Sequence, residues 1–275
     1  VRELSLFSGA GGGLLGTSLL GWTHMGYVEY DDYCQRVIAQ RIKDGYLNEA
    51  PIFGDINSFI SEGYAASYTG MVDVITAGFP CQPFSTAGRR QGADDSRNMW
   101  PATIECIRVV RPRYCFLENV PGLLSSGYFG IILADLAESG YDARWRILSA
   151  AEVGAPHRRN RLWIVGYTKK SGRASKSIEP KRPILGQRSE TFTSASLQQD
   201  VANANGKRVF SVWSQPGGKQ RKEIHKSEWA VEPDVGRVVD GVASRVDRLK
   251  AIGNGQVPQC VAKAWQLLTS DWSSL

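Results

Sequence analysis

An apolar run breaks directly into glycine at Leu4-Ser5-Leu6-Phe7-Ser8-Gly9-Ala10-Gly11-Gly12-Gly13-Leu14-Leu15-Gly16, and no other stretch limits the fold as strongly. It predicts a strand, a tight turn and a helix: β-prone residues, then residues without Cβ, then leucines at helical spacing. Glycines in such a turn let a ligand approach the backbone at the start of the helix. Gly11-x-Gly13-x-x-Gly16 has the spacing of a dinucleotide-binding turn. Glu29, at the end of the next β-prone run, is placed to accept hydrogen bonds from ribose hydroxyls. These residues point to a nucleoside cofactor with a ribose diol but do not separate NAD, FAD and S-adenosylmethionine. The plainer alternative is a strand-to-helix turn that holds nothing.

Short β-prone runs occur at Leu4–Phe7, His24–Tyr30, Val72–Ala77, Tyr114–Glu118 and Leu162–Tyr167. Between them lie helical spacings at Tyr33–Arg41, Trp100–Val110 and Ile131–Ala137, with acidic starts or breaker ends. Strands alternating with helices predict an α/β fold with a doubly wound, mostly parallel sheet. A chain of 275 residues, 42% of them hydrophobic, can bury a sizeable core. The pattern changes between Tyr167 and Glu228, where apolar periodicity fades and 13 Lys and Arg stand against five Asp and Glu. Because the net charge of the whole chain is +6, this stretch carries the basic excess and leaves the remainder slightly acidic. It reads either as a solvated segment or as a small lobe meeting a phosphate backbone. Ordered signals return after Trp229, at Val238–Val246 and in a closing helix at Val257–Leu268, so the basic stretch is an insert. No apolar run approaches the roughly 18 residues of a membrane span, and the start lacks a signal-peptide stretch, so no membrane association and a cytoplasmic location are expected.

The five cysteines are scattered, without a Cys-x-x-Cys pair, so neither a zinc site nor a disulfide framework is expected. Cys106 and Cys115 lie in apolar runs suited to buried thiols. Cys81 differs, sitting in Gly78-Phe79-Pro80-Cys81-Gln82-Pro83-Phe84-Ser85 directly after a strand, where open α/β sheets bind ligands. That is a suitable address for a nucleophile if a cation or helix terminus stabilises the thiolate; the alternative is an inert turn cysteine. Glu118-Asn119-Val120-Pro121 ends the next strand and brings a carboxyl beside the Cys81 loop if the two strands are neighbours. Asp55, after a short β-prone run, reads as an acceptor for an adenine amino group or as a surface-turn residue. Arg159 and Arg161 share a face if the chain there is extended, suiting an anionic or carbonyl-bearing substrate. His157 has no partner at catalytic spacing and reads as structural.

In this order, the Phe7–Gly13 loop, Glu29, Asp55, Pro80-Cys81-Gln82, Glu118-Asn119-Val120, Arg159-x-Arg161 and Gly253-Asn254-Gly255 resemble the cytosine-C5 DNA methyltransferase family. The resemblance covers residues 1–167 and 248–268. It implies a Rossmann-like cofactor-binding and catalytic domain of residues 1–166 plus 246–275, and a small basic target-recognition lobe at 167–245. S-adenosylmethionine becomes the implied cofactor, with Phe7 on the adenine, Gly9 and Gly11 at the backbone approach, Glu29 on the ribose and Asp55 on the adenine amino group. Asn254 takes the methionine end, and Ser8, Gly12, Tyr30, Ile56 and Pro80 complete the surroundings. Ser5 stands where many members have Asp, and His157 where many have Gln. The stretch before Gly253 matches only weakly.

The implied chemistry begins with Cys81 adding to carbon 6 of a cytosine, because carbon 5 alone is too weak a nucleophile. Glu118 offsets the ring's developing negative charge at N3, Arg159 holds O2 with Arg161 beside it, carbon 5 takes the methyl group from the sulfonium, and loss of the carbon 5 proton then expels the Cys81 thiol to leave 5-methylcytosine. The base must first leave its helix, at a cost of about a few kcal/mol. Ser85, Arg89 and Arg90, in the glycine-containing loop after Cys81, are the expected contacts to double-stranded DNA, the arginines to phosphate. A monomer suits an enzyme that modifies one strand at a time. Pairing with a restriction endonuclease and solitary or phage action are both open. So are a tRNA cytosine methyltransferase of the same architecture, a catalytically inactive nucleic-acid-binding module and a nicotinamide dehydrogenase, although the last gives Pro80-Cys81-Gln82 no role.

Overall fold

A computed structural model of the protein describes residues 1–80, 98–168 and 245–270. Cys81, Ser85, Arg89 and Arg90 lie outside the described residues, as does the 167–245 insert apart from Tyr167, Thr168 and Arg245. The chain divides into one unit of Val1–Lys176 with Lys250–Leu275 and another of Ser177–Leu249, and the described residues fall almost wholly in the first.

Seven strands form one sheet: β1 (Arg2–Leu6), β2 (Thr23–Val28), β3 (Ile52–Phe53), β4 (Val74–Ala77), β5 (Tyr114–Asn119), β6 (Asp142–Leu148) and β7 (Arg161–Tyr167). Their order is β3-β2-β1-β4-β5-β7-β6. Neighbours are parallel except β7, which runs antiparallel to both β5 and β6. The five β-prone runs in the sequence correspond to β1, β2, β4, β5 and β7. They read as nearly continuous apolar segments because helices cover both faces of the sheet. On β5, Cys115 and Leu117 join a core with Trp100, Ile104 and Ile107 of one helix (Trp100–Val110) and Ile132 and Leu136 of another (Tyr128–Glu138). Phe116 points to the opposite face, where its ring stacks on Trp163 with centroids 5.3 Å apart. That face is closed by Val261, Ala264 and Leu268 of the last helix, Pro258–Thr269. The alternation is the two-residue period of a strand.

Local chemistry sets the helix ends. The helix Asp32–Lys43 starts where the Asp31 carboxylate accepts the Cys34 N–H at 3.1 Å. The helix Trp100–Val110 stops at Arg111, in the left-handed region with φ 54°, before Pro112. β6 is the strand that the sequence pattern hides. As an edge strand with four exposed residues among its seven, it mixes arginines with Trp145 and Ile147 and shows no clean alternation.

The chain runs outward from β1 through β2 to β3, then crosses back to β4 on the other side of β1. This reversal opens a crevice at the carboxyl ends of β1 and β4, from which the glycine turn and the segment leading to Cys81 emerge. The first helix, α1 (Gly12–Ser18), lies against the closing helix. A Cβ at Gly16 would stand 2.5 Å from Val261 Cβ and 2.7 Å from the Pro258 carbonyl oxygen. Gly16→Ala therefore overpacks the contact that ties the two ends of the chain together. It is expected to cost about 1–3 kcal/mol, read as a Tm several degrees lower; an unchanged Tm would contradict this packing.

Candidate active site

The turn after β1 is built from left-handed backbone, with φ of 52° at Phe7, 56° at Gly9 and 88° at Gly11. A phenylalanine in that region stores strain of about 1–3 kcal/mol. The turn around it is fixed from both sides: Ser8 N–H donates to the Val28 carbonyl at 3.2 Å, and Ser8 Oγ donates to Ser5 Oγ at 2.9 Å. Gly9 N–H donates to Glu29 Oε2 at 2.6 Å, and Asp31 N–H donates to Glu29 Oε1 at 2.8 Å. Glu29 is thus clamped across the ends of β1 and β2, and each oxygen keeps a lone pair for another donor. Burial pushes its pKa up, and the two N–H bonds work against that rise. Beside it, Tyr30 is 81% exposed. Space beyond Gly9 is open, with nothing within 4 Å of where a Cβ would stand.

The next two predicted cofactor residues sit differently. Asp55 caps a short helix (Ile56–Ser61), its Oδ2 accepting the Ser58 N–H at 3.0 Å. The Ile56 side chain is 4% exposed and belongs to the main core, so its contribution to a ligand is confined to backbone in the first turn.

Across the crevice, Glu118 closes β5 with only 8% of its surface exposed. Its Oε1 pairs with Arg161 Nε at 2.9 Å, and its Oε2 accepts from Gln256 Nε2 at 3.2 Å. Burial raises its pKa above the usual carboxylate range, opposed first by the Arg161 charge, then by the Gln256 bond and the Arg159 charge. Asn119 ties the neighbouring strand end in place, its Nδ2 donating to the Phe79 carbonyl at 3.2 Å while its Oδ1 accepts the Val120 N–H at 2.8 Å. Phe79 is buried against Trp100, whereas Pro80, the residue before Cys81, is exposed.

The backbone is not extended through the two arginines. Arg159 has φ 36°, which breaks the extended path that would align them. Its Nη2 donates to the carbonyls of Gly253 at 2.6 Å and Gly255 at 2.5 Å, bracing the terminal turn, while Arg161 takes the carboxyl. One cavity is lined by Phe7, Ser8, Gly9 and Gly12 from the first turn, Gly78 and Glu118 from the strand ends, and Asn254 and Gln256 from the terminal turn. Glu29, Tyr30 and Asp55 follow along the carboxyl ends of β2 and β3, outside that lining. Gln256 escaped the sequence reading because its neighbours Gly253-Asn254-Gly255 carried the pattern and a lone glutamine carries no signal of its own.

This grouping joins a nucleoside-type turn to a buried carboxyl and to the strand end that leads to Cys81. The family profile described as C-5 cytosine-specific DNA methylase matches residues 1–237. The chain belongs to that family. Among the methylases it resembles is the type II methyltransferase M.NgoBI of Neisseria gonorrhoeae, 36% identical over 61% of this chain and 50% of the relative. Another is M.AquIA of Picosynechococcus, 32% identical over 67% of this chain and 77% of the relative. The chain spans about half the length of most of the curated relatives it matches. A solved structure of the Entamoeba histolytica methyltransferase EhMeth shares the fold at a TM-score of 0.59 and 16% identity, covering 99% of this chain and 98% of that one. The mixed seven-stranded sheet of this methylase-family chain is the doubly wound, Rossmann-like α/β architecture that it shares with that structure.

Proposed function

We propose that the protein methylates carbon 5 of cytosine in double-stranded DNA, using S-adenosylmethionine and a transient bond from Cys81 Sγ to carbon 6. The observation that carries this reading is the buried Glu118 carboxyl. It sits in one cavity with the glycine turn and is tied through Asn119 to the segment that leads to Cys81. The residues present fit the cofactor: Glu29 keeps lone pairs for a ribose diol, Tyr30 offers an exposed ring, and the space over Gly9 is open. S-adenosylmethionine supplies an electrophilic methyl group on a sulfonium. Phe7, Ser8, Gly9, Gly11, Gly12, Asp55, Ile56, Pro80 and Asn254 are its remaining proposed neighbours.

Four cysteines other than Cys81 are described, and all are buried. Burial pushes their thiols up, to about 12 at Cys34 and Cys106, about 11 at Cys260 and higher still at Cys115. Such thiols form little thiolate near neutral pH, which leaves Cys81 as the nucleophile. Glu118 donates a proton or hydrogen bond to N3 of the base as Cys81 adds at carbon 6. Arg161, already paired with that carboxyl, is the guanidinium best placed to share O2. Arg159 contributes charge and keeps the terminal turn in place.

Ser85, Arg89, Arg90 and the basic 167–245 lobe are the proposed DNA contacts, and phosphate pairing there helps offset the flipping cost. The type II names of the relatives favour a restriction–modification setting, and the proposal takes the protein to act as a cytoplasmic monomer. No helix among the described residues is long and apolar enough to cross a membrane. Labelled methyl transfer into duplex DNA and into tRNA tests the reading. Label is expected on carbon 5 of cytosine in DNA; label confined to tRNA would overturn it.

A further inference from the structure

We propose that Gln256 is a positioning residue for Glu118, its side-chain amide fixing one carboxyl oxygen while Arg161 fixes the other. The inference rests on the proposed function for its catalytic meaning and on geometry for everything else. Gln256 is anchored at both backbone ends. On one side, the turn before it is held by Arg159 Nη2 on the Gly253 and Gly255 carbonyls and by Gly255 N–H on the Ala251 carbonyl at 2.8 Å. On the other, Val257 begins the closing helix, with Pro258 as its first residue.

Room for this residue is left by three glycines from two other parts of the fold, two of them along its side chain and one against its backbone. A Cβ on Gly13 would lie 2.5 Å from Gln256 Oε1, one on Gly78 would lie 2.8 Å from Nε2, and one on Gly12 would lie 2.5 Å from the Gln256 carbonyl oxygen. Part of the glycine content of the first turn therefore admits a residue of the terminal turn as well as a ligand. The last torsion of a glutamate side chain has a broad minimum, so one ion pair at Oε1 leaves the carboxyl plane free to swing. A second bond at Oε2 sets that plane, and an unpartnered buried oxygen there would be costly. Among the described residues, the groups facing this carboxyl are Arg161 from β7, Arg159 before it, Gln256 and the Gly78 backbone. The Gln256 amide favours the ionised form and so restrains the upward push of burial.

The test is a carbon-13 carboxyl titration of Glu118 in the full chain, assigned by the signal lost in Glu118→Gln. It is read with kcat and with KM for S-adenosylmethionine. Gln256→Met is expected to raise the Glu118 midpoint by about one pH unit. It should also lower kcat roughly tenfold, with KM within about twofold. Gln256→Glu adds a like charge and should raise the midpoint further. Gly78→Ala, which displaces Nε2, should raise it without touching Gln256 itself. An unchanged midpoint in these variants, or a raised KM at unchanged kcat, would overturn the proposal and assign Gln256 to the cofactor. A wild-type chain that methylates no DNA would sink the functional reading, while the titration would still decide this one.

Discussion

Glu118→Gln is expected to lower the single-turnover rate of methyl transfer by about 10²–10⁴-fold, the range of a lost general acid. The amide keeps the shape of the side chain and can donate an N–H to a ring nitrogen. It cannot release a proton, and it gives up the ion pair with Arg161 at 2.9 Å. The sign of the pH dependence follows from burial, which raises the Glu118 pKa, so the protonated donor persists to higher pH than for an exposed carboxyl. Activity that needs this donor falls as pH rises through the folded-state pKa, while the thiolate of Cys81 pulls the opposite limb. Rates measured over a broad pH range should show the descending limb in wild type and lose it in Glu118→Gln. A variant within threefold of wild type across that range would remove Glu118 from the acid's role.

Much of this architecture was legible in the residues. The five β-prone runs became strands because both sheet faces are covered, which makes apolar continuity a strong signal. Glu29 and Glu118 were legible as carboxylates at strand ends, and the structure supplies what spacing could not: the two N–H groups clamping the first and the ion pair holding the second. The extended path that would align the arginine pair does not hold at Arg159, which adopts φ 36°, yet both guanidiniums act on the Glu118 carboxyl. β6 was hidden by the mixed polarity of an edge strand. Gln256 was hidden because its importance comes from three glycines distant in the chain, a relation visible only after folding.

Cys81→Ser is expected to remove methyl transfer by about 10⁴-fold or more, since a serine hydroxyl stays protonated where a thiol is partly ionised. None of the four other cysteines can substitute, each being buried with its thiol pushed up. The most direct measurement replaces cytosine by 5-fluorocytosine in duplex DNA, so that the group that must leave carbon 5 as a proton cannot do so and the sulfur–carbon bond persists. With S-adenosylmethionine present, the wild-type chain should give a protein–DNA adduct that survives denaturation, and Cys81→Ser should give none. An adduct that persists in Cys81→Ser, or its absence from a wild-type chain that methylates ordinary DNA, would contradict covalent activation by Cys81.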